Sequence, residues 1–134
     1  MTIKNNTLLR LILVGCMCVM STVAYPQDFV ELSITGDNSE RITGDCYLQK
    51  PSGQFARQRI EGALPAHFWL PTAAFRCNIY KSSQRSLVTV AVIRKGEVEV
   101  RQKSRAPLRW IVVRSTGPWG KARGGVYAAR PVYQ

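Results

Sequence analysis

Acidic residues are scarce in this 134-residue sequence, which has 8 Asp and Glu against 19 Lys and Arg and a formal net charge of +11. The last acidic residue is Glu99, and every charged side chain from Arg101 onward is basic. This gradient favours an anionic partner or surface. The alternative interpretation is that the charge only maintains solubility in an anionic cell envelope.

Residues typical of catalysis and metal binding are also few. His67 is the only histidine, and the sequence contains neither a GxSxG nor an HExxH motif. Two cysteines and one distant histidine do not make a four-ligand metal set. The sequence therefore predicts no catalytic residue, no metal site and no cofactor, and we expect a protein that is not an enzyme.

The chain has no apolar run long enough for an ordinary membrane span, which needs about 20 residues. Its longest run, Leu11 to Ala24, has 14 residues and follows the basic Lys4 and Arg10. Small residues at Thr22 and Ala24 match the pattern before a signal-peptidase site. We predict a signal peptide over residues 1–24, cleavage after Ala24, and a periplasmic or secreted protein.

Two alternatives remain for this N-terminal segment. The run that ends at Cys16 (LVGC) resembles a bacterial lipobox, which would lipidate that cysteine. An uncleaved anchor from Leu8 to Tyr25 would hold the protein at the membrane, with Arg10 near its cytoplasmic end as the positive-inside rule requires.

Only two of the four cysteines, Cys46 and Cys77, lie beyond the predicted cleavage site. One cysteine pair in an exported domain indicates one disulfide. The bridge would close a loop of about 31 residues and stabilise the fold by roughly 3.5 kcal/mol through chain entropy.

The sequence after the signal shows no convincing helical period, but alternating apolar and polar residues recur between turn signals. In the run from Arg41 to Gln49, the alternation places Cys46 on the inward face, and in the run from Phe75 to Tyr80 it places Cys77 there. The remaining predicted strands run from Phe29 to Thr35, Phe55 to Gly62, Leu87 to Ile93, Glu97 to Lys103 and Leu108 to Ser115. About seven short strands predict an all-β fold, a single antiparallel β-sandwich of immunoglobulin-like or Greek-key type over residues 25–116, with a small barrel as the alternative.

Three local features complete this prediction. Leu87 to Lys103 reads as a central hairpin whose second strand points Val98 and Val100 inward. Ala63 to Pro71 is bracketed by prolines and predicts a loop that crosses between two sheets. Residues 117–134 are rich in glycine and lack periodicity, which predicts a flexible basic tail.

The basic C-terminal third is the candidate binding site, because aromatic side chains alternate there with cations. Its candidate residues for an anionic ligand are Arg101, Lys103, Arg105, Arg109, Arg114, Trp119, Lys121, Arg123, Tyr127 and Arg130. An exported protein rarely meets nucleic acid, so lipopolysaccharide, acidic polysaccharide or anionic headgroups are the better partners.

The segments ITGDC (42–46), ALP (63–65), FRCNI (75–79), the RKG turn (94–96) and Ala106-Pro107 together give the chain a family resemblance. Over Phe29 to Ser115 it resembles small exported β-sandwich accessory proteins of the MmpS type. The resemblance implies an extracytoplasmic sandwich that assists a lipid-exporting transporter. The N-terminal run is shorter than the anchor of that family, and the basic tail is not part of its pattern.

The sequence as a whole predicts an exported, non-enzymatic binding or accessory protein of the bacterial envelope. Its basic face and tail would engage an anionic envelope component. The alternative is a protein–protein accessory subunit of a membrane transporter or secretion system, which would need an exposed apolar patch or a retained anchor.

Overall fold

The computed structural model describes residues 29–115 and 119–131, and that part of the chain contains nine β-strands. The strands are β1 (Val30–Gly36), β2 (Arg41–Gln49), β3 (Phe55–Ala63), β4 (Ala66–Leu70), β5 (Phe75–Lys81), β6 (Val88–Arg94), β7 (Glu97–Ser104), β8 (Trp110–Ser115) and β9 (Arg123–Tyr127). The predicted signal peptide, the cleavage site at Ala24, the lipobox and the anchor lie outside the described residues.

The strands form two antiparallel sheets packed as a β-sandwich, which confirms the predicted fold class. The four-stranded sheet has the order β4-β1-β6-β7, and the five-stranded sheet has the order β3-β2-β5-β8-β9. Alternating residues of each strand fill the space between the sheets, including Leu32, Ile42, Ile79, Val90 and Ile111, all with no exposed surface. This alternation is the pattern expected where one face of a sheet is buried and the other solvated.

The predicted disulfide is present between Cys46 and Cys77. The two residues are direct partners on β2 and β5, their Cα atoms lie 4.0 Å apart, and neither is exposed. The bridge thus joins neighbouring strands within the five-stranded sheet rather than linking the two sheets. A buried disulfide is consistent with an extracytoplasmic protein.

The prediction of a loop over Ala63 to Pro71 was wrong in part, because β4 occupies Ala66–Leu70. The chain does cross here from one sheet to the other, and Leu70 is fully buried while Trp69 is 61% exposed. The prolines did not prevent a strand because both lie just outside it and β4 is an edge strand, where proline is tolerated.

The inward orientation predicted for Val98 was also wrong. The β6–β7 pairing shifts register between Val92, which faces Val100, and Ile93, which faces Val98, so Glu99 is an extra residue on β7. Such a bulge reverses the alternation beyond it. Val98 is consequently 47% exposed, whereas Val100 is buried as predicted.

The segment predicted as a flexible tail contains a strand. Arg123–Tyr127 pairs with β8 along its length, from Trp110 opposite Tyr127 to Arg114 opposite Arg123. Val126 and Ala122 pack against the core cluster, and a Cβ on Gly124 would lie 2.9 Å from Oε1 of Gln102 on β7. This glycine-rich segment has little tendency to form a strand by itself. Backbone pairing with β8 and the close approach to β7 hold it in place.

Two buried charged residues lie at one end of the sandwich. Glu40 is 2% exposed and accepts hydrogen bonds from the hydroxyl groups of Ser82 and Ser86 and from the backbone N–H of Ser83. The ammonium group of Lys81, which has no exposed surface, donates to the carbonyl oxygens of Ser86 and Gln84. These bonds tie the β5–β6 connection to the start of β2.

The part of the chain that the structure describes contains no helix that could span a lipid bilayer.

Candidate anion-binding site

The outer face of the five-stranded sheet, the side away from the core, brings arginines from separate strands into one row. Arg76 on β5 is the register partner of Arg114 on β8, and Arg114 is the partner of Arg123 on β9. Neighbouring strands lie about 4.8 Å apart, so the Cα atoms of the three arginines lie within about 10 Å of one another. The row continues to Tyr47 on β2 and Arg57 on β3.

The acidic residues of this face lie in its other half, on β2 and β3. Asp45 on β2 accepts from Arg57, with its Oδ1 2.8 Å from the Nη2 atom and 2.9 Å from the Nε atom. Glu61 on β3 lies 3.8 Å from Arg59. The sequences of β5, β8 and β9 contain no acidic residue. The positive charge is therefore concentrated on the β5–β8–β9 half of the face.

A shallow depression of about 130 Å³ opens in this half. It is lined by Arg76, Val112, Arg114, Arg123, Gly124, Gly125 and Tyr127. Gly125 lies opposite Val112, and a Cβ built on it would lie 3.3 Å from the hydroxyl of Tyr127. The Tyr127 side chain thus extends back along β9 toward Arg123 and lies over Gly125.

Aromatic side chains form a second row on the same face. Tyr80, Trp110 and Tyr127 are successive register partners on β5, β8 and β9. The rings of Tyr80 and Trp110 have centroids 5.0 Å apart, and the guanidinium carbon of Arg130 lies 5.7 Å from the centre of the Trp110 ring. Cations over an aromatic face are attracted to its negative quadrupole. The row therefore borders the depression with aromatic surface and additional positive charge.

The connection after β8 reaches the opposite edge of this sheet. Trp119 belongs to the β8–β9 connection, yet its ring centroid lies 5.0 Å from that of Phe55 at the start of β3. β3 and β9 are the two edge strands of a five-stranded sheet, about 19 Å apart. The Trp119–Phe55 contact therefore bounds the outer face at the end beyond the arginine row.

The structure gathers some of the sequence-predicted residues and separates others. Arg114, Arg123 and Tyr127 line the depression, and Arg109 lies close by, with its Nη1 3.5 Å from the Tyr80 hydroxyl. Lys121 is exposed just before β9, and Arg105 is exposed in the β7–β8 connection. Arg101 and Lys103 are exposed on β7, opposite Ala91 and Thr89, and so lie on the outer face of the other sheet.

Arg76 was missed by the sequence analysis. Its outward orientation follows from the inward position of Cys77, but its importance depends on β8 and β9 lying beside β5. Nothing in the local sequence around Arg76 gives those neighbours. The acid-free stretch after Glu99 was the only available signal, and Arg76 lies outside that stretch.

His67 lies on the outer face of the four-stranded sheet. Its Nδ1 is 3.0 Å from Oε1 of Glu31, and its side chain is 55% exposed. In the described ranges, no group of three or more His, Cys, Asp or Glu residues is arranged to hold a metal ion.

An apolar row crosses the same face as His67. Trp69 on β4 lies opposite Glu31, which is also the partner of Ile93, and Ile93 is paired with Val98. Trp69 is 61% exposed and Val98 is 47% exposed. Phe29, which precedes β1, is 47% exposed as well. The sandwich thus has one basic outer face and one with an apolar row.

Comparison with protein-family models, with curated proteins and with solved structures found no match to this chain. The resemblance to accessory proteins of the MmpS type therefore stays a prediction.

Proposed function

We propose that this chain is an exported, non-enzymatic binding protein that engages an anionic component of the cell envelope. The arginine row of Arg76, Arg114 and Arg123, on three adjacent strands, is the observation that carries the proposal. Guanidinium groups bind carboxylate, phosphate and sulfate oxygens through paired hydrogen bonds. The disulfide within the same sheet supports an extracytoplasmic location, where such anions are surface components.

The neighbouring side chains suit binding more than chemistry. The arginines are always charged and act as donors rather than as acids or bases. The flanking Tyr127 is 47% exposed and adds a hydroxyl group and a ring face to the depression. A rigid sheet keeps these groups at fixed spacing, which reduces the entropy lost when a ligand binds.

Affinity chromatography on immobilised heparin, a sulfated polysaccharide, tests this proposal with the full chain. Loss of one charge-assisted hydrogen bond reduces the free energy of binding by about 1 kcal/mol, so Arg114→Gln should weaken binding about fivefold. Arg101→Gln removes the same charge from the other face and is the matched control. Elution should require less salt for the first variant than for the second, because salt screens the interaction. Equal elution of both variants would contradict the proposal.

The second candidate function is a protein–protein accessory subunit of a membrane transporter or secretion system. The apolar side chains of Trp69, Ile93 and Val98 support it, although Glu31 lies between Trp69 and Ile93, since apolar side chains exposed together mark interaction sites. Trp69→Ser should reduce recovery of a cross-linked membrane protein from cells. Leu87→Ser, at a position 43% exposed outside this row, is the matched control. Equal recovery with both variants would exclude the row as the contact surface.

A further inference from the structure

The geometry of one end of the sandwich points to a particular anionic partner: we infer that this end docks on the surface of a phospholipid bilayer with anionic headgroups. This entry end comprises Phe29 and the β2–β3, β4–β5, β6–β7 and β8–β9 connections. Both sheets end there, since Nη2 of Arg94 at the end of β6 lies 2.9 Å from the carbonyl oxygen of Ala73 before β5. The inference rests on the proposed function, because it names the anionic component, and it adds a contact surface beyond the arginine row.

Exposed apolar side chains are concentrated at the entry end. Phe29 directly precedes β1, and Phe55 is the first residue of β3. Trp69 is the second-to-last residue of β4, and Val98 is the second residue of β7. A strand rises about 3.3 Å per residue, so all four lie within about 7 Å of the ends of their strands. Apolar groups of interfacial proteins enter a bilayer to a depth of about 5–10 Å, which matches this band.

The placement of the rings favours a bilayer over a partner bound to one sheet. Trp69 is 61% exposed on the outer face of the four-stranded sheet, and Phe55 is 51% exposed on the outer face of the five-stranded sheet. The ring of Trp119 lies beside that of Phe55, with centroids 5.0 Å apart. A partner on one sheet face would cover only one of these sites, whereas a bilayer across the entry end contacts both. Tryptophan is also enriched at membrane interfaces.

The charge of the entry end is complementary to an anionic bilayer. The sequences of its four connections contain Lys50, Lys95 and Lys121 and no acidic residue. The acidic Asp37 and Glu40 lie in the β1–β2 connection, at the opposite end. All three lysines are exposed, and none takes part in an ion pair within residues 29–115 and 119–131. Each ammonium group is therefore available to the negative surface potential of anionic lipids.

The carboxylates near the entry end oppose this attraction only in part. Oε1 of Glu31 lies 3.0 Å from Nδ1 of His67, and Oε1 of Glu99 lies 2.6 Å from Nε of Arg94. Glu97, the first residue of β7, is exposed. Its single negative charge is smaller than the combined charge of the three lysines, so the entry end keeps a net positive charge.

Quenching of tryptophan fluorescence by brominated phosphatidylcholine tests the inference with the full chain. Trp69 and Trp119 lie at the entry end, whereas Trp110 begins β8 at the opposite end. Trp110→Phe combined with Trp119→Phe retains only Trp69, and Trp69→Phe combined with Trp119→Phe retains only Trp110. In vesicles that also contain phosphatidylglycerol, Trp69 should lose most of its emission and Trp110 should keep its emission, because bromine quenches only rings within the bilayer.

The other outcomes of this experiment overturn the inference. Equal quenching of Trp69 and Trp110 would overturn the assignment of the contact to the entry end. Quenching of neither tryptophan would overturn the bilayer as the partner and leave Trp69 to a protein partner.

Two lysine variants test the contribution of charge to the same contact. Lys95→Gln should raise the vesicle concentration needed for half-maximal quenching of Trp69 about fivefold, because a cation near an anionic surface strengthens binding by roughly that factor. Lys103→Gln, at an exposed position near the opposite end of β7, is the matched control and should change it little. Equal values for the two variants would overturn the electrostatic part of the inference.

The heparin experiment separates failure of this inference from failure of the proposed function. Heparin binding through Arg114 without quenching of Trp69 would overturn only the bilayer contact. Quenching of Trp69 with equal heparin elution of Arg114→Gln and Arg101→Gln would overturn the arginine row and support the bilayer contact. Failure in both experiments would overturn both proposals.

Discussion

Glu40 shows how a single buried residue can make the fold sensitive to acid. Burial alone would raise the pKa of its carboxyl group, but hydrogen bonds from Ser86, Ser82 and Ser83 outweigh that effect, and the pKa is lowered from its ordinary value of 4.5. Burial also lowers the pKa of Lys81, and the negative charges of Glu40 and Asp37 partly oppose that shift. The ionised carboxylate is therefore the form that holds the β5–β6 connection.

The sign of the shift fixes the pH range in which Glu40 stabilises the protein. A carboxyl group whose pKa is lower in the folded state contributes its stability above pH 4.5 and loses it as the pH falls through the lowered value. Glu40→Gln should reduce the free energy of unfolding by about 2 kcal/mol at pH 7, because hydrogen bonds to a charged group are lost. Urea unfolding measures this difference, which should shrink at pH 3.

Glu97→Gln is the control for that measurement, since Glu97 is exposed on β7. It should change the unfolding free energy by less than about 0.5 kcal/mol at either pH. A deficit in Glu40→Gln that is equally large at pH 7 and pH 3 would refute the role of the ionised carboxylate.

The residues of the candidate site were predictable only in part. Arg114, Arg123 and Tyr127 belong to the acid-free C-terminal third, and the basic charge with its interleaved aromatic residues selected them together with Arg101 and Lys103. The structure places the last two on the other face of the sandwich. Charge along a sequence identifies a basic region. The face of the sheet on which each basic side chain lies depends on strand register, and proximity to Arg76 depends on long-range strand pairing.

At the level of strands, two of the departures from expectation concern β7 and β9. The bulge at Glu99 exposes Val98, and β9 places Val126 against the core cluster. Val126→Asp should therefore lower the free energy of unfolding by about 2 kcal/mol, because it puts a charge where apolar surface is half-buried. Val98→Asp should cost less than about 1 kcal/mol, since it changes only an exposed strand position. Urea unfolding of the two variants compares them directly.

These paired substitutions also test whether the C-terminal segment belongs to the domain. Equal effects of the two substitutions, or a larger cost for Val98→Asp, would contradict the packing of β9 and the bulge in β7. If residues 117–134 formed a flexible tail, as the sequence predicts, Val126→Asp would leave the free energy of unfolding unchanged.

Strand prediction succeeded where the pattern was local. β1, β2 and β5 show clean alternation, so their positions and inward faces were predictable, as was the pair of inward cysteines. The sequence analysis missed β4 because prolines flank it. It missed β9 because that strand contains two glycines and lies in a basic segment without periodicity. The bulge in β7 was not predictable, because its sequence alternates regularly and the shift arises only in pairing with β6.

The part of the molecule that the structure describes is a sandwich with two different outer faces. The five-stranded sheet presents arginines and aromatic rings, while the four-stranded sheet presents the apolar row with His67 and Glu31 nearby. Because the two faces point in opposite directions, an anionic ligand on one leaves the other open to a protein partner. The two proposed functions, anion binding and service as an accessory subunit, are therefore compatible in a single domain.

The most direct test of the central claim is to map which face responds when an anion binds. In ¹H–¹⁵N correlation spectra of the protein titrated with a short heparin oligosaccharide, the amide signals of 76–78, 112–114 and 123–127 should shift together. The signals of 89–93 and 100–103 in the four-stranded sheet should stay in place, and added salt should reverse the shifts. Shifts centred on β6 and β7, or no shifts at all, would contradict the assignment of the anion-binding surface to the five-stranded sheet.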